Sequence, residues 1–116
     1  MSERDIILLL QDILESAEKI RKYIDGYNYK DFLGDDKTID AVVRNLEVIG
    51  EAGNRLDPDF RNSNPEVDWN RIRGLRNRLV HDYFGIDYGI VWSIIQNDLD
   101  DLIASIKCLI SDHTKR

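Results

Sequence analysis

The sequence predicts an all-α protein, an antiparallel bundle of four main helices with room for a fifth short one. Three observations carry that expectation. No stretch alternates apolar and polar residues with period two over the length of a strand. Four stretches instead repeat apolar residues at the 3.6-residue spacing of a helix face. Ser2 and Asp68 stand just ahead of such runs, and Gly26 and Gly85 stand just after them, as helix punctuation requires. At 116 residues the chain reads as one domain, 1–116. A chain of that size buries roughly 65% of its unfolded surface, enough for a core of its own.

Ser2 opens the first helix, with Asp5 placed to complete a capping box. Ile6, Leu9, Leu10, Ile13, Leu14, Ala17, Ile20 and Ile24 form its apolar stripe, and Asp25-Gly26 ends it. Tyr27 to Asp35 is a connector with space for one helical turn. The second long helix runs from Asp36 to Leu56, with Ile39, Val42, Val43, Leu46, Ile49, Ala52 and Leu56 on one side. Gly50 and Gly53 lie inside it, where each glycine costs roughly 1 kcal/mol against alanine. Close approach of another helix is the usual reason to accept that cost, so the pair marks a packing point. Asp57 to Val67, with Pro58 and Pro65, is expected to be a loop. Trp69 to Tyr83 is the third helix, with Gly85 as its candidate C′ residue. The fourth carries Ile90, Val91, Ile94, Ile95, Leu99, Leu102, Ile103, Ile106, Leu109 and Ile110, and a polar tail follows. The stripes of the first and last helices are broad enough to suggest a homodimer.

Net charge is −6, which argues against a general nucleic-acid-coating protein. The basic charge is uneven: Arg71, Arg73, Arg76 and Arg78 lie within eight residues. Such a patch on an acidic chain suits a small anionic site better than a long duplex track. The single cysteine, Cys108, is expected in the core, and no Cys/His spacing suggests zinc. The consecutive pairs Asp35-Asp36 and Asp100-Asp101 diverge on a helix and read as solvated surface. No glycine-rich phosphate loop or H-E-x-x-H pattern occurs, so no metal or cofactor is implied. The N-terminus lacks the basic n-region of a signal peptide, and no apolar run approaches membrane-spanning length. A cytoplasmic location and no membrane partner are the expectation.

Chemistry concentrates in WNRIRGLRNRLVHDY, Trp69 to Tyr83. On a continuous helical wheel, Leu75, Leu79, Ile72, Trp69 and Val80 span an arc from roughly 40° to 180°. Arg76 falls inside that arc at roughly 140°, while Asn77, His81, Arg78 and Arg71 fall outside. An arginine in a core stripe is costly unless paired. It is either one half of a buried or interfacial ion pair or a cation aimed into a cleft. His81 follows Asn77 by four residues, so the amide can fix the imidazole tautomer. Arg76 and His81 lie roughly 140° apart, and meet only through the reach of the arginine, a helix end near His81, or an oligomer interface. Histidine moves protons near neutral pH, and arginine holds phosphate and developing charge. Together they suffice for RNA cleavage by attack of the 2′-hydroxyl on the adjacent phosphodiester, with no cofactor. By chance R-x4-H arises roughly 0.17 times per chain, and R-x4-H-x-Y roughly 0.007 times, so only the longer form discriminates. His113, in the polar tail, is given no role.

Arg76-Asn77-Arg78-Leu79-Val80-His81-Asp82-Tyr83 resembles the R-x4-H-x-Tyr signature of HepT-like toxins in the HEPN superfamily. AVVRNLEVIGEAGNRL, the Pro-x-x-Asp-Trp of Pro65 to Trp69, GLRNRLVHDYFGID and VWSII extend the resemblance over nearly the whole chain. It implies a small all-α homodimer whose motif helices meet at a cleft. It implies a metal-independent endoribonuclease, the toxin of a toxin–antitoxin pair, with RNA as substrate. The partner would be an MntA-type minimal nucleotidyltransferase, an antitoxin that transfers AMP onto the motif tyrosine, here Tyr83. Carried over residue by residue, Arg76 holds the scissile phosphate, His81 is the general acid or base, and Asn77 assists. Arg73 and Arg78 are candidates for RNA contact, weighed against a solvated helix face. The competing reading is a non-catalytic nucleotide-binding adaptor subunit of a nucleotidyltransferase, with Arg76 on a nucleotide phosphate.

Overall fold

In the computed structural model, residues 1–79 and 85–114 are described. Val80, His81, Asp82, Tyr83 and Phe84 therefore lie outside the described residues, as does the expected end of the third helix. Within the described residues the chain is all helical, with α1 Glu3–Tyr23, α2 Tyr29–Leu33, α3 Asp36–Arg55, α4 Pro58–Ser63, α5 Trp69–Arg73, α6 Leu75–Leu79, α7 Tyr88–Asn97 and α8 Leu99–Thr114. α1 lies along α3 and α8, α3 carries α5 and α6 on another side, and α7 packs on α8. Leu10, Ile13, Ile20, Val42, Leu46, Ile49 and Ile106 are fully buried where these helices meet.

Acidic and amide side chains cap the helices. Ser2 and Asp5 form a complete capping box on α1, and Asn28 with Asp31 forms another on α2. Asp57, Asp68 and Asp87 each accept a backbone N–H at the start of α4, α5 and α7. Part of the acidic excess is thus spent on orphan helix donors. Asp35 belongs to this set, contrary to the solvated-surface expectation. It caps α3 through the Thr38 N–H at 3.1 Å and accepts the Tyr27 hydroxyl at 2.6 Å and the Thr38 hydroxyl at 2.7 Å. Its pair-mate Asp36 is exposed. Asp100 is exposed and ion-paired with Arg21, tying α8 to α1.

Three boundaries differ from the sequence reading. The expected 57–67 loop contains α4, because Asp57-Pro58 acts as N-cap and first-turn proline rather than as a breaker. Phe60 of α4 is buried against Trp69 and His113. The expected third helix breaks at Gly74, between α5 and α6. The expected fourth breaks at Asp98, between α7 and α8. In both cases the apolar period continues through the break, so periodicity alone could not reveal it. Cys108 is exposed, not buried. It sits on the outer side of α8, whose Ile106 and Leu109 face the core. His113 has a structural part: its Nδ1 meets the Leu109 carbonyl at 2.9 Å while its ring packs edge-on against Phe60.

Candidate functional site

Asp68 starts α5 by accepting the Arg71 N–H at 3.1 Å, and Trp69 and Ile72 bury its inner face. After Gly74, Leu75 and Leu79 do the same for α6. The four arginines are thereby pushed to the outer side, where they meet different fates. Arg71 and Arg78 share the carboxylate of Asp98, at 3.0 Å and 3.7 Å. Arg73 donates from Nε to Asn54 Oδ1 at 2.9 Å. Arg76 and Asn77 are exposed, and Arg76 forms no ion pair among the described residues.

Arg76 is thus not buried in the core of this chain, where the continuous wheel had placed it. The break at Gly74 explains why: Trp69 and Ile72 belong to a separate helix, so they no longer extend the apolar arc over Arg76. On α6 alone, Arg76 sits roughly 80° from the midline between Leu75 and Leu79, on the flank. His81, Tyr83 and the expected Asn77–His81 contact lie outside the described residues. The Asp87 N–H donates to the Leu79 carbonyl at 2.8 Å. Gly85 has φ of 84°, a left-handed conformation that suits a helix-terminating glycine.

Two clefts flank this face. One, of about 240 Å³, has a floor that includes Leu46, Ile72 and Leu75 and an edge formed by Arg71, Arg78 and Asp98. The other, of about 560 Å³, is polar and is lined by Arg61 and Arg73 among others. Sequence reasoning missed Arg61. Its Nη1 donates to the carbonyls of Gly53 at 3.0 Å, Asn54 at 3.4 Å and Leu56, closing the C-terminal end of α3. A basic residue just beyond a helix C-terminus is the signal that could have found it. Among the described residues no three His, Cys, Asp or Glu side chains converge as a metal set, and no helix is long and apolar enough to cross a membrane.

An all-α chain with this arginine-rich helix face and an R-x4-H-x-Y stretch defines a HEPN-type protein. The ribonuclease HepT-like family model matches residues 13–109, and the chain belongs to that family. It is 42% identical over 112 residues to "Putative RNase MJ0127" of Methanocaldococcus jannaschii, covering 97% of this chain and 93% of that protein. It is 43% identical over 99 residues to "Putative RNase MJ1380" of the same organism, covering 85% and 91%. It is 39% identical over 93 residues to "Probable ribonuclease HepT" of Thermococcus cleftensis, covering 80% and 84%. No solved structure matches the chain.

Proposed function

We propose that this protein is a metal-independent endoribonuclease acting through Arg76 and His81, with Asn77 as an assisting group. The observation that carries the reading is the state of Arg76. Of the motif's two arginines it is the one not drawn onto Asp98, and it stands in solvent. A guanidinium in that state can take a phosphate without first breaking an ion pair. His81 takes or gives the proton as the 2′-hydroxyl attacks phosphorus, and Arg76 offsets the charge that builds on the phosphorane. The names of the relatives support RNA as the substrate.

The same reading makes the chain the toxin of a toxin–antitoxin pair, working as a cytoplasmic homodimer. A cognate minimal nucleotidyltransferase neutralises it by placing AMP on Tyr83. The added bulk and negative charge near His81 and Arg76 would obstruct RNA entry and occupy the arginine.

Purified protein, with Tyr83 verified as unmodified by mass spectrometry, is incubated with total RNA in excess EDTA beside Arg76→Ala and His81→Ala. Cleavage by the parent, lost in both variants with the helical circular-dichroism signal intact, is the expected result. Treatment with the nucleotidyltransferase and ATP should add AMP to Tyr83 and stop cleavage. Nucleotide binding without RNA turnover in any RNA pool would favour the adaptor reading instead.

A further inference from the structure

Beside the motif, two cations line one cleft, and neither is ion-paired among the described residues. Arg61 of α4 and Arg73 of α5 line the 560 Å³ cleft together. One residue, Asn54 at the end of α3, anchors both. Its backbone oxygen accepts Arg61 Nη1 at 3.4 Å, and its side-chain oxygen accepts Arg73 Nε at 2.9 Å. Neither guanidinium forms an ion pair among the described residues. Each is fixed through a single nitrogen. Nε and Nη2 of Arg61 and both terminal nitrogens of Arg73 are left without a hydrogen bond to the described residues. Burial, and after it the neighbouring Arg73, lowers the proton affinity of Arg61, with Asp57 pulling the other way. Glu66 and Asp68 also line the cleft, but Asp68 is engaged in capping α5.

Two like charges held together are a cost to the fold unless an anion joins them. Two pre-oriented guanidinium forks match the paired oxygens of a phosphate. We propose that Arg61 and Arg73 clamp a backbone phosphate of single-stranded RNA, next along the strand from the phosphate taken by Arg76. This rests on the ribonuclease reading and adds a substrate subsite to it. Arg73 and Arg76 are three residues apart, so their Cα atoms are separated by no more than roughly 11 Å even in extended chain. A strand held at Arg76 needs to span only this short distance to reach the cleft. The acidic chain as a whole repels a long duplex, whereas a local pair of arginines suits a splayed single strand.

The test uses the full chain carrying His81→Ala, so that RNA is bound and not consumed. Binding of a short fluorescein-labelled single-stranded RNA is followed by anisotropy across a potassium chloride series. Arg73→Ala, which removes no helix cap, should weaken binding and lower the slope of log affinity against log salt by about 0.7, the value for one lost phosphate contact. Arg61→Lys, which keeps the charge but loses the fork, should weaken binding while changing the slope little; a thermal melt checks that α3 remains intact. If the parent binds RNA and Arg73→Ala binds it with the same affinity and slope, the clamp is wrong and the ribonuclease reading stands. If the parent binds no RNA, the ribonuclease reading falls and the clamp falls with it. If ATP binds the parent as tightly as the RNA does, and Arg73→Ala loses both equally, the site takes free nucleotides and the strand assignment is overturned.

Discussion

Gly53 measures how closely α3 and α5 approach. A Cβ built there would lie 2.7 Å from Ile72 Cγ2, and one at Gly50 would lie 3.2 Å from the Ile72 carbonyl oxygen. The two glycines are the packing point that their spacing suggested. Replacing Gly53 with alanine gains roughly 1 kcal/mol of helix propensity but costs roughly 1–3 kcal/mol of overpacking, since the stiff β-branched Ile72 cannot easily swing aside. Gly53→Ala should therefore lose about 1 kcal/mol net, read as a lower urea midpoint at unchanged slope. A raised midpoint would mean that α5 moves freely off α3. The same scale separates the motif arginines. Arg71 and Arg78 are neighbours of Arg76 in sequence, but Asp98 holds them and not it. Which arginine stays free depends on a carboxylate twenty or more residues further on, and no local pattern displays that.

At the scale of elements, the caps were the most readable part of the chain. Ser2 with Asp5 and Asp68 ahead of Trp69 act as the sequence suggested, because a cap is a contact over three residues. Asp35 was misread for the opposite reason. Its partner Tyr27 lies eight residues away on the connector, and only the folded chain brings the hydroxyl to the carboxylate. The breaks at Gly74 and Asp98 were hidden in the same way, under a periodicity that ran on through them. The Tyr27 hydroxyl, followed by Thr38, holds the Asp35 carboxyl below its ordinary pKa of 3.8. A carboxyl whose pKa is lower in the folded chain contributes stability that is present above the unfolded value and is lost as pH falls through the folded one. The stability difference between the parent and Asp35→Asn should thus be constant near neutrality and shrink as pH drops below about 3.8. A difference that stays constant to the acid limit would show that the carboxylate charge plays no part in holding the Tyr27 connector to the start of α3.

For the whole molecule, the all-α architecture followed from periodicity, and the family from motifs spread along nearly the entire chain. The site was only half legible. Arg76 and Asn77 lie in solvent, and the wheel had placed Arg76 on the wrong side. Arg61 was not found, because its only sequence signal is a basic residue just past the end of α3, and its partners there are backbone oxygens. One geometric problem in the sequence bears on assembly. On one regular helix, residues five apart face roughly 140° from each other, so Arg76 and His81 of the same copy do not readily serve one phosphate. A homodimer resolves this if the arginine of one copy works with the histidine of the other. Sedimentation should then give a particle of twice the 13.5 kDa chain mass. Arg76→Ala and His81→Ala chains, each inactive alone, should recover part of the RNA cleavage when unfolded and refolded together. The mixed dimer holds one arginine and one histidine on opposite copies, and that single pair completes one cleft. No recovery from a mixture shown to contain mixed dimers would place both groups in the same copy. The arginine would then have to reach around its own helix end to meet the histidine.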